Sequence, residues 1–155
     1  MLRGENTNSV YLTQLLMVSR KIKILLIEDD LPTIDIYEEI FRKSGFIVET
    51  IKWGKGAFDA LEEMRTGKKQ KSDLVLLDLI LPDVNGIEIL RKAKETEELK
   101  SIPFFVLTNY TDPQLEKEIK ALNAEKYIIK SNFVPSELIK IIKEWFKNLK
   151  KKAIR

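Results

Sequence analysis

The chain has 155 residues, 44% of them hydrophobic and 33% charged, a composition that bounds it to one globular domain with a sizeable core. It contains no cysteine and no histidine, which excludes a disulfide framework, thiolate metal sites and imidazole acid–base chemistry; carboxylates, Lys, Ser/Thr and Tyr must carry any reaction. The formal charge of +3 is small and much of the excess lies between Lys147 and Arg155, which suits a solvated helix end and does not call for nucleic acid.

No run reaches the roughly 20 apolar residues needed to span a bilayer, so no membrane association and a cytoplasmic location are expected. Residues 1–20 read as a flexible N-terminal arm. Its apolar stretch Val10–Val18 is interrupted by Thr13 and Gln14 and leads into a strand instead of a cleavage site, and Met17 is a second candidate start.

From Lys21 onward the elements follow in order. Ile22-Lys23-Ile24-Leu25-Leu26-Ile27 predicts a strand, alternating at its entry and wholly apolar at its exit, as in a sheet covered on both faces. It ends in Glu28-Asp29-Asp30. Pro32 and Thr33 open a helix with Ile34, Tyr37, Ile40 and Phe41 on one side, closed by Gly45. Phe46–Ile51 predicts a second strand, and Trp53-Gly54-Lys55-Gly56 leads into a helix carrying Ala57, Leu61 and Met64 inward. After the polar loop 67–72, the run Asp73-Leu74-Val75-Leu76-Leu77 predicts a strand buried on both faces, which delivers Asp78 into Leu79-Ile80-Leu81-Pro82-Asp83-Val84-Asn85-Gly86.

The next helix buries Ile87, Leu90 and Ala93. Ile102–Leu107 is a fourth strand, with Pro103 tolerable at its start, and it delivers Thr108-Asn109-Tyr110. Asp112 and Pro113 suit the cap and first position of a helix through Leu115, Ile119 and Leu122. Lys126–Lys130 is the fifth strand, and a last helix from about Pro135 buries Leu138, Ile141, Ile142, Trp145 and Leu149. Strands alternating with helices predict an α/β domain over residues 21–150, a doubly wound parallel sheet with helices on both faces, followed by a basic tail at 151–155.

The strand ends carry the chemistry, because ligands of open parallel sheets bind at the carboxyl edge. There the first strand presents Glu28 and Asp29, the third Asp78, the fourth Thr108 and the fifth Lys130. Converging carboxylates raise one another's pKa unless a cation neutralises them, and an all-oxygen donor set favours a hard ion such as Mg2+. Lys130 and Thr108 add a positive charge and a hydroxyl suited to the oxygens of a transferring phosphoryl group. Attack of Asp78 on phosphorus to give an acyl phosphate is the implied reaction. Taken singly, each residue has a plainer use: an acidic helix start, a turn former, a cap, a solvated charge. Together they occupy neighbouring strand ends.

Four stretches, Ile-Leu-Leu-Ile-Glu28-Asp29-Asp30, Leu-Val-Leu-Leu-Asp78-Leu-Ile-Leu-Pro82-Asp83-Val-Asn85-Gly86, the strand ending at Thr108, and Tyr127-Ile-Ile-Lys130, stand in an order that resembles the CheY-like receiver domains of two-component response regulators. The resemblance covers about Lys21 to Lys150. It implies a flavodoxin-like sheet of order 2-1-3-4-5 with five helices and a stand-alone response regulator, monomeric or weakly dimeric. Asp78 would be the phosphoacceptor, and Mg2+ would be bound by Glu28, Asp29, Asp78 and the backbone carbonyl of Ile80. Thr108 and Lys130 would bind phosphoryl oxygens, and Thr108 and Tyr127 would form the switch. The implied donor is a phosphohistidine on a histidine kinase or histidine phosphotransfer protein. With no output domain expected after the last helix, the implied output is a surface of the fourth helix, fifth strand and last helix that meets a downstream protein.

Four positions depart from the family pattern. Ser131 follows Lys130 where the family usually has a cis proline; a cis bond before serine costs about 2.5–4 kcal/mol, so either a trans bond with a rearranged loop or a strained cis bond is expected. Asn109 replaces a very small residue beside Thr108. Ile80 and Tyr110 stand where polar side chains often steer the hydrolytic water, which predicts a long-lived phosphorylated form. Two alternatives remain at this level: a pseudo-receiver that works by protein contact without phosphorylation, and a phosphatase using an aspartyl phosphate. Ile80 occupies the natural place of the second acid that such a phosphatase needs.

Overall fold

The computed structural model describes residues 20–154. The expected arm lies, except for Arg20, outside the described residues. Five strands, β1 (Lys23–Ile27), β2 (Ile47–Ile51), β3 (Leu74–Leu77), β4 (Phe104–Thr108) and β5 (Lys126–Ile129), alternate with α1 (Leu31–Lys43), α2 (Gly54–Arg65), α3 (Gly86–Glu95), α4 (Pro113–Ala121) and α5 (Pro135–Ala153). The strands form one parallel sheet in the order β2-β1-β3-β4-β5, the flavodoxin-like arrangement expected from the sequence.

The period of two along a strand explains why the central runs are apolar at every position. In β1, Leu25 and Ile27 face one core while Ile24 and Leu26 face the other; in β3, Val75 and Leu77 separate in the same way from Leu74 and Leu76. One core packs these residues against α2, α3 and Ile119 of α4. The other holds Tyr37 and Phe41 of α1 with Leu138, Ile139 and Ile142 of α5. Each fully buried Leu, Ile or Phe contributes roughly 1.5–3 kcal/mol relative to exposure, so the two-sided sheet is the main source of stability. β2 lies at the sheet edge, and its residues are exposed or half-buried.

Two details of the last helix differ from the sequence reading. Leu149 is 41% exposed instead of buried, because the helix has by then run past the sheet, and Ile139 takes an inward position. The basic stretch expected as a tail continues the helix to Ala153, with Lys150, Lys151 and Lys152 in the last turn, where cations interact favourably with the carbonyl end.

Candidate functional site

The carboxyl ends of β1, β3 and β5 open into a cleft of about 690 Å³, whose walls include Glu28, Asp29, Asp78, Ile80, Asn109, Lys130 and Ser131. Local structure fixes each group. Asp78 lies one residue past β3, and its N–H donates to the Ile27 carbonyl at 3.0 Å, so the backbone is anchored where the side chain enters the cleft. Its Oδ1 accepts the Ile80 N–H at 3.1 Å, an Asx-type turn that bends the loop away from the carboxylate. Gly86 closes that loop: a Cβ there would stand 2.5 Å from the Asp78 carbonyl oxygen and 2.6 Å from the Leu79 Cα, so only glycine lets α3 start so near.

Asp30 leaves the acidic run to serve as the cap of α1, accepting the Thr33 N–H at 3.0 Å. That frees Glu28 and Asp29 to face the cleft, and one carboxylate oxygen from each of Glu28, Asp29 and Asp78 lies within 4.8 Å of the others. Lys130 Nζ donates to Glu28 Oε2 at 2.6 Å and to Asp78 Oδ2 at 3.0 Å. Burial pushes the Glu28 carboxyl above its ordinary value; the Lys130 hydrogen bond opposes this, and the nearby Asp78 charge reinforces it. Burial alone would lower the Lys130 ammonium, but the hydrogen bond to Glu28 and the charges of Asp78 and Glu28 hold its pKa above the usual lysine value. One ammonium thus contacts two of the three carboxylates.

Two further residues read from the sequence lie outside this wall. Thr108 is wholly buried behind Asn109, its Oγ1 accepting the Tyr110 N–H at 3.1 Å. Tyr127 sits on β5, half-buried, and its hydroxyl donates to the Tyr110 carbonyl at 3.0 Å. The peptides of Tyr110 therefore connect Thr108 with Tyr127, which share no hydrogen bond. The Lys130–Ser131 bond is trans, no cis peptide occurring among the described residues, and the chain turns at once into a 3-10 turn, Lys130–Asn132. Of the two bond geometries expected at Ser131, trans is the one found, with Lys130 in the cleft.

Comparison with known proteins decides the family. The response regulator receiver domain matches residues 24–143. The chain belongs to that family. This receiver is 30% identical over 122 residues to the polar-differentiation response regulator DivK of Brucella ovis, an alignment covering 79% of this chain and 94% of DivK. Among solved structures it is similar to the phosphorylated cyanobacterial phytochrome response regulator RcpA (TM-score 0.69, 30% identity, 81% of this chain and 91% of that one). A CheY-like receiver from Methanospirillum hungatei JF-1 gives a TM-score of 0.72 at 26% identity, covering 86% of this chain and 99% of that one. The Mn(2+)-bound form of response regulator Rcp1 gives 0.68 at 27% identity, with 78% and 88% covered. Among the described residues of this receiver, no helix is long and apolar enough to cross a membrane.

One supporting residue was missed in the sequence. Trp53 precedes α2 and gives it no side-chain cap; instead Asp83, from the loop after Asp78, accepts the N–H groups of Gly54 at 2.8 Å and Lys55 at 2.9 Å. These bonds hold the Asp83 carboxyl below its ordinary value. The signal was the absence of Ser, Thr, Asp or Asn before Gly54, which leaves amide donors for a distant carboxylate to satisfy.

Proposed function

We propose that this receiver accepts a phosphoryl group on Asp78 from a phosphohistidine of a histidine kinase or histidine phosphotransfer protein. The observation that carries the reading is the Lys130 ammonium, in hydrogen-bond contact with both Glu28 and Asp78 inside a three-carboxylate cleft. In the transfer an Asp78 carboxylate oxygen forms the new O–P bond. The P–N bond breaks, and its electron pair stays on the imidazole nitrogen. There is no general base to supply, so positioning and charge neutralisation do the work.

The donor set fits Mg2+: it is all oxygen, and burial of Glu28 beside Asp78 leaves negative charge that one ammonium does not balance. Glu28, Asp29, Asp78 and the Ile80 carbonyl would hold the ion. When bound, it supplies neutralising charge for the attacking carboxylate and the phosphoryl oxygens. Lys130 exchanges its Glu28 contact for a phosphoryl oxygen, and the Thr108 hydroxyl turns from the Tyr110 N–H to another. Release of Tyr110 frees its carbonyl from Tyr127, so the change at Asp78 reaches the α4–β5–α5 face, where a downstream protein reads it.

Incubation of the full chain with Mg2+ and acetyl phosphate tests the reading by intact mass. One added phosphoryl group, absent in Asp78→Asn, is the expected result. No gain in wild type, or a gain that survives Asp78→Asn, favours a receiver that works by protein contact alone.

A further inference from the structure

The β4–β5 ladder ends at the pair Thr108↔Ile129. Beyond it the chains part, β4 running into residues 109–111 and β5 tightening into the turn Lys130–Asn132. Across the gap the Ser131 N–H donates to Asn109 Oδ1 at 2.9 Å. Among the described residues no other side-chain hydrogen bond joins these two segments. Both residues are exposed and both border the cleft that contains Asp78 and Lys130.

We infer that Asn109 is a positioning residue for phosphoryl transfer: its side-chain amide and the Ser131 N–H form a strap that fixes the spacing between Thr108 and Lys130. The inference rests on the phosphoacceptor reading above. Thr108 precedes Asn109 and Lys130 precedes Ser131, so a single bond ties together the backbones of the two groups that receive phosphoryl oxygens. The strap needs both members. A proline at 131 has no N–H to give, and an apolar side chain at 109 has no acceptor.

In the resting protein the Lys130 ammonium is already held by two carboxylates, so the strap adds little there. Once phosphorus is attacked, the Glu28 contact is exchanged for a phosphoryl oxygen. The backbone anchor then sets where the ammonium stands, and small displacements of a positioned charge are costly to transfer.

The experiment follows phosphoryl gain from acetyl phosphate with Mg2+ in the full chain, together with amide hydrogen exchange at Ser131. Asn109→Leu keeps the bulk beside the cleft and removes the acceptor. It is expected to slow phosphorylation about 2- to 10-fold, the range of one net hydrogen bond, and to abolish protection of the Ser131 amide while β4 and β5 stay protected. Ser131→Ala keeps the N–H, and the amide at 131 is expected to keep its protection. In a Ser131→Pro background, Asn109→Leu adds nothing further, as two ends of one interaction require. Phosphorylation of Asn109→Leu at the wild-type rate, or independent multiplication of the two effects, overturns the strap. If wild type takes no phosphoryl group, the phosphoacceptor reading falls, and the positioning role falls with it.

Discussion

Lys130 stands closer to Glu28, at 2.6 Å, than to Asp78, at 3.0 Å. The lysine is therefore anchored mainly by a group that is not the proposed nucleophile, while the Asp78 charge is still partly balanced. Both carboxylates are buried, so removing the ammonium leaves them facing each other without a partner. Lys130→Met is expected to destabilise the fold by roughly 1.5–3 kcal/mol at neutral pH, the cost of losing charged hydrogen bonds. Urea unfolding at pH 7 measures it. Glu28→Gln in the same chain recovers part of the loss; a double variant no more stable than Lys130→Met contradicts the pairing.

The raised Glu28 pKa gives the pH dependence a definite sign. The folded chain keeps the Glu28 proton at pH values where the unfolded chain, near the ordinary value of 4.5, has already released it. The folded state then binds more protons, so this group's contribution to stability falls as pH rises from about 4.5 through the higher folded value. Glu28→Gln removes that slope and is more stable than wild type above the window. A series of unfolding midpoints between pH 4 and pH 8 distinguishes the two chains, and identical slopes refute the assignment. Lys130 runs at the other end of the scale: its raised pKa contributes stability that is complete below the ordinary lysine value and is lost as pH climbs through the folded one.

Metal addition should separate the site from the fold. Mg2+ at ten times its dissociation constant stabilises the native state by about 1.4 kcal/mol through mass action. Thermal unfolding is expected to shift upward with Mg2+ in wild type and in Asp35→Asn, an exposed position on α1 outside the carboxylate group, and to stay fixed in Asp29→Asn. An equal shift in all three chains means that Mg2+ acts elsewhere.

Ile80 is 60% exposed and borders the cleft, and Tyr110 is 50% exposed beside the same loop. Neither side chain positions a water strongly for attack on an acyl phosphate. Decay of the isolated phosphoprotein is expected to be slow, and Ile80→Glu should speed it at least about tenfold by presenting a carboxylate to the attacking water. The check is loss of the added mass over time after the donor is removed; unchanged decay in Ile80→Glu counts against the argument.

Asp83 spans from the Asp78 loop to the amino end of α2, and Gly54 accommodates the contact, since a Cβ there would come within 1.9 Å of Val84 Cγ2. Asp83→Ala is expected to lower the thermal midpoint. The Asp83 pKa is depressed by the Lys55 and Gly54 amides, so its contribution is present above the ordinary aspartate value and disappears as pH falls through the folded one. The gap between wild type and Asp83→Ala should therefore narrow in acid.

Much of this receiver was legible in its sequence because period and punctuation coincide. Apolar runs such as Leu74–Leu77 left no polar face for solvent, which forced a sheet covered on both sides, and Asp112-Pro113 marked the start of α4. The strand-end residues were readable because each follows its apolar run directly. What escaped depends on contacts between distant segments. Asp83 and α2 are separated by a full strand, the choice of Asp30 as cap depends on where α1 begins, and the end of inward packing at Leu149 depends on how far the sheet extends beneath α5. The Asn109–Ser131 bond was visible only as two unusual residues until the turn at Lys130 brought them together.

Tyr110 is gripped through its main chain, by Thr108 at the N–H and by Tyr127 at the carbonyl, while its ring lies half in solvent. The proposed timing and transmission would thereby be separable at one residue. On the phosphoacceptor reading, substituting the ring is expected to change how long a phosphoryl group persists, whereas the link through the Tyr110 peptides is expected to stay the same for any side chain that adopts this backbone. On that reading, the memory of such a receiver would be lengthened or shortened without rewiring what it tells a partner.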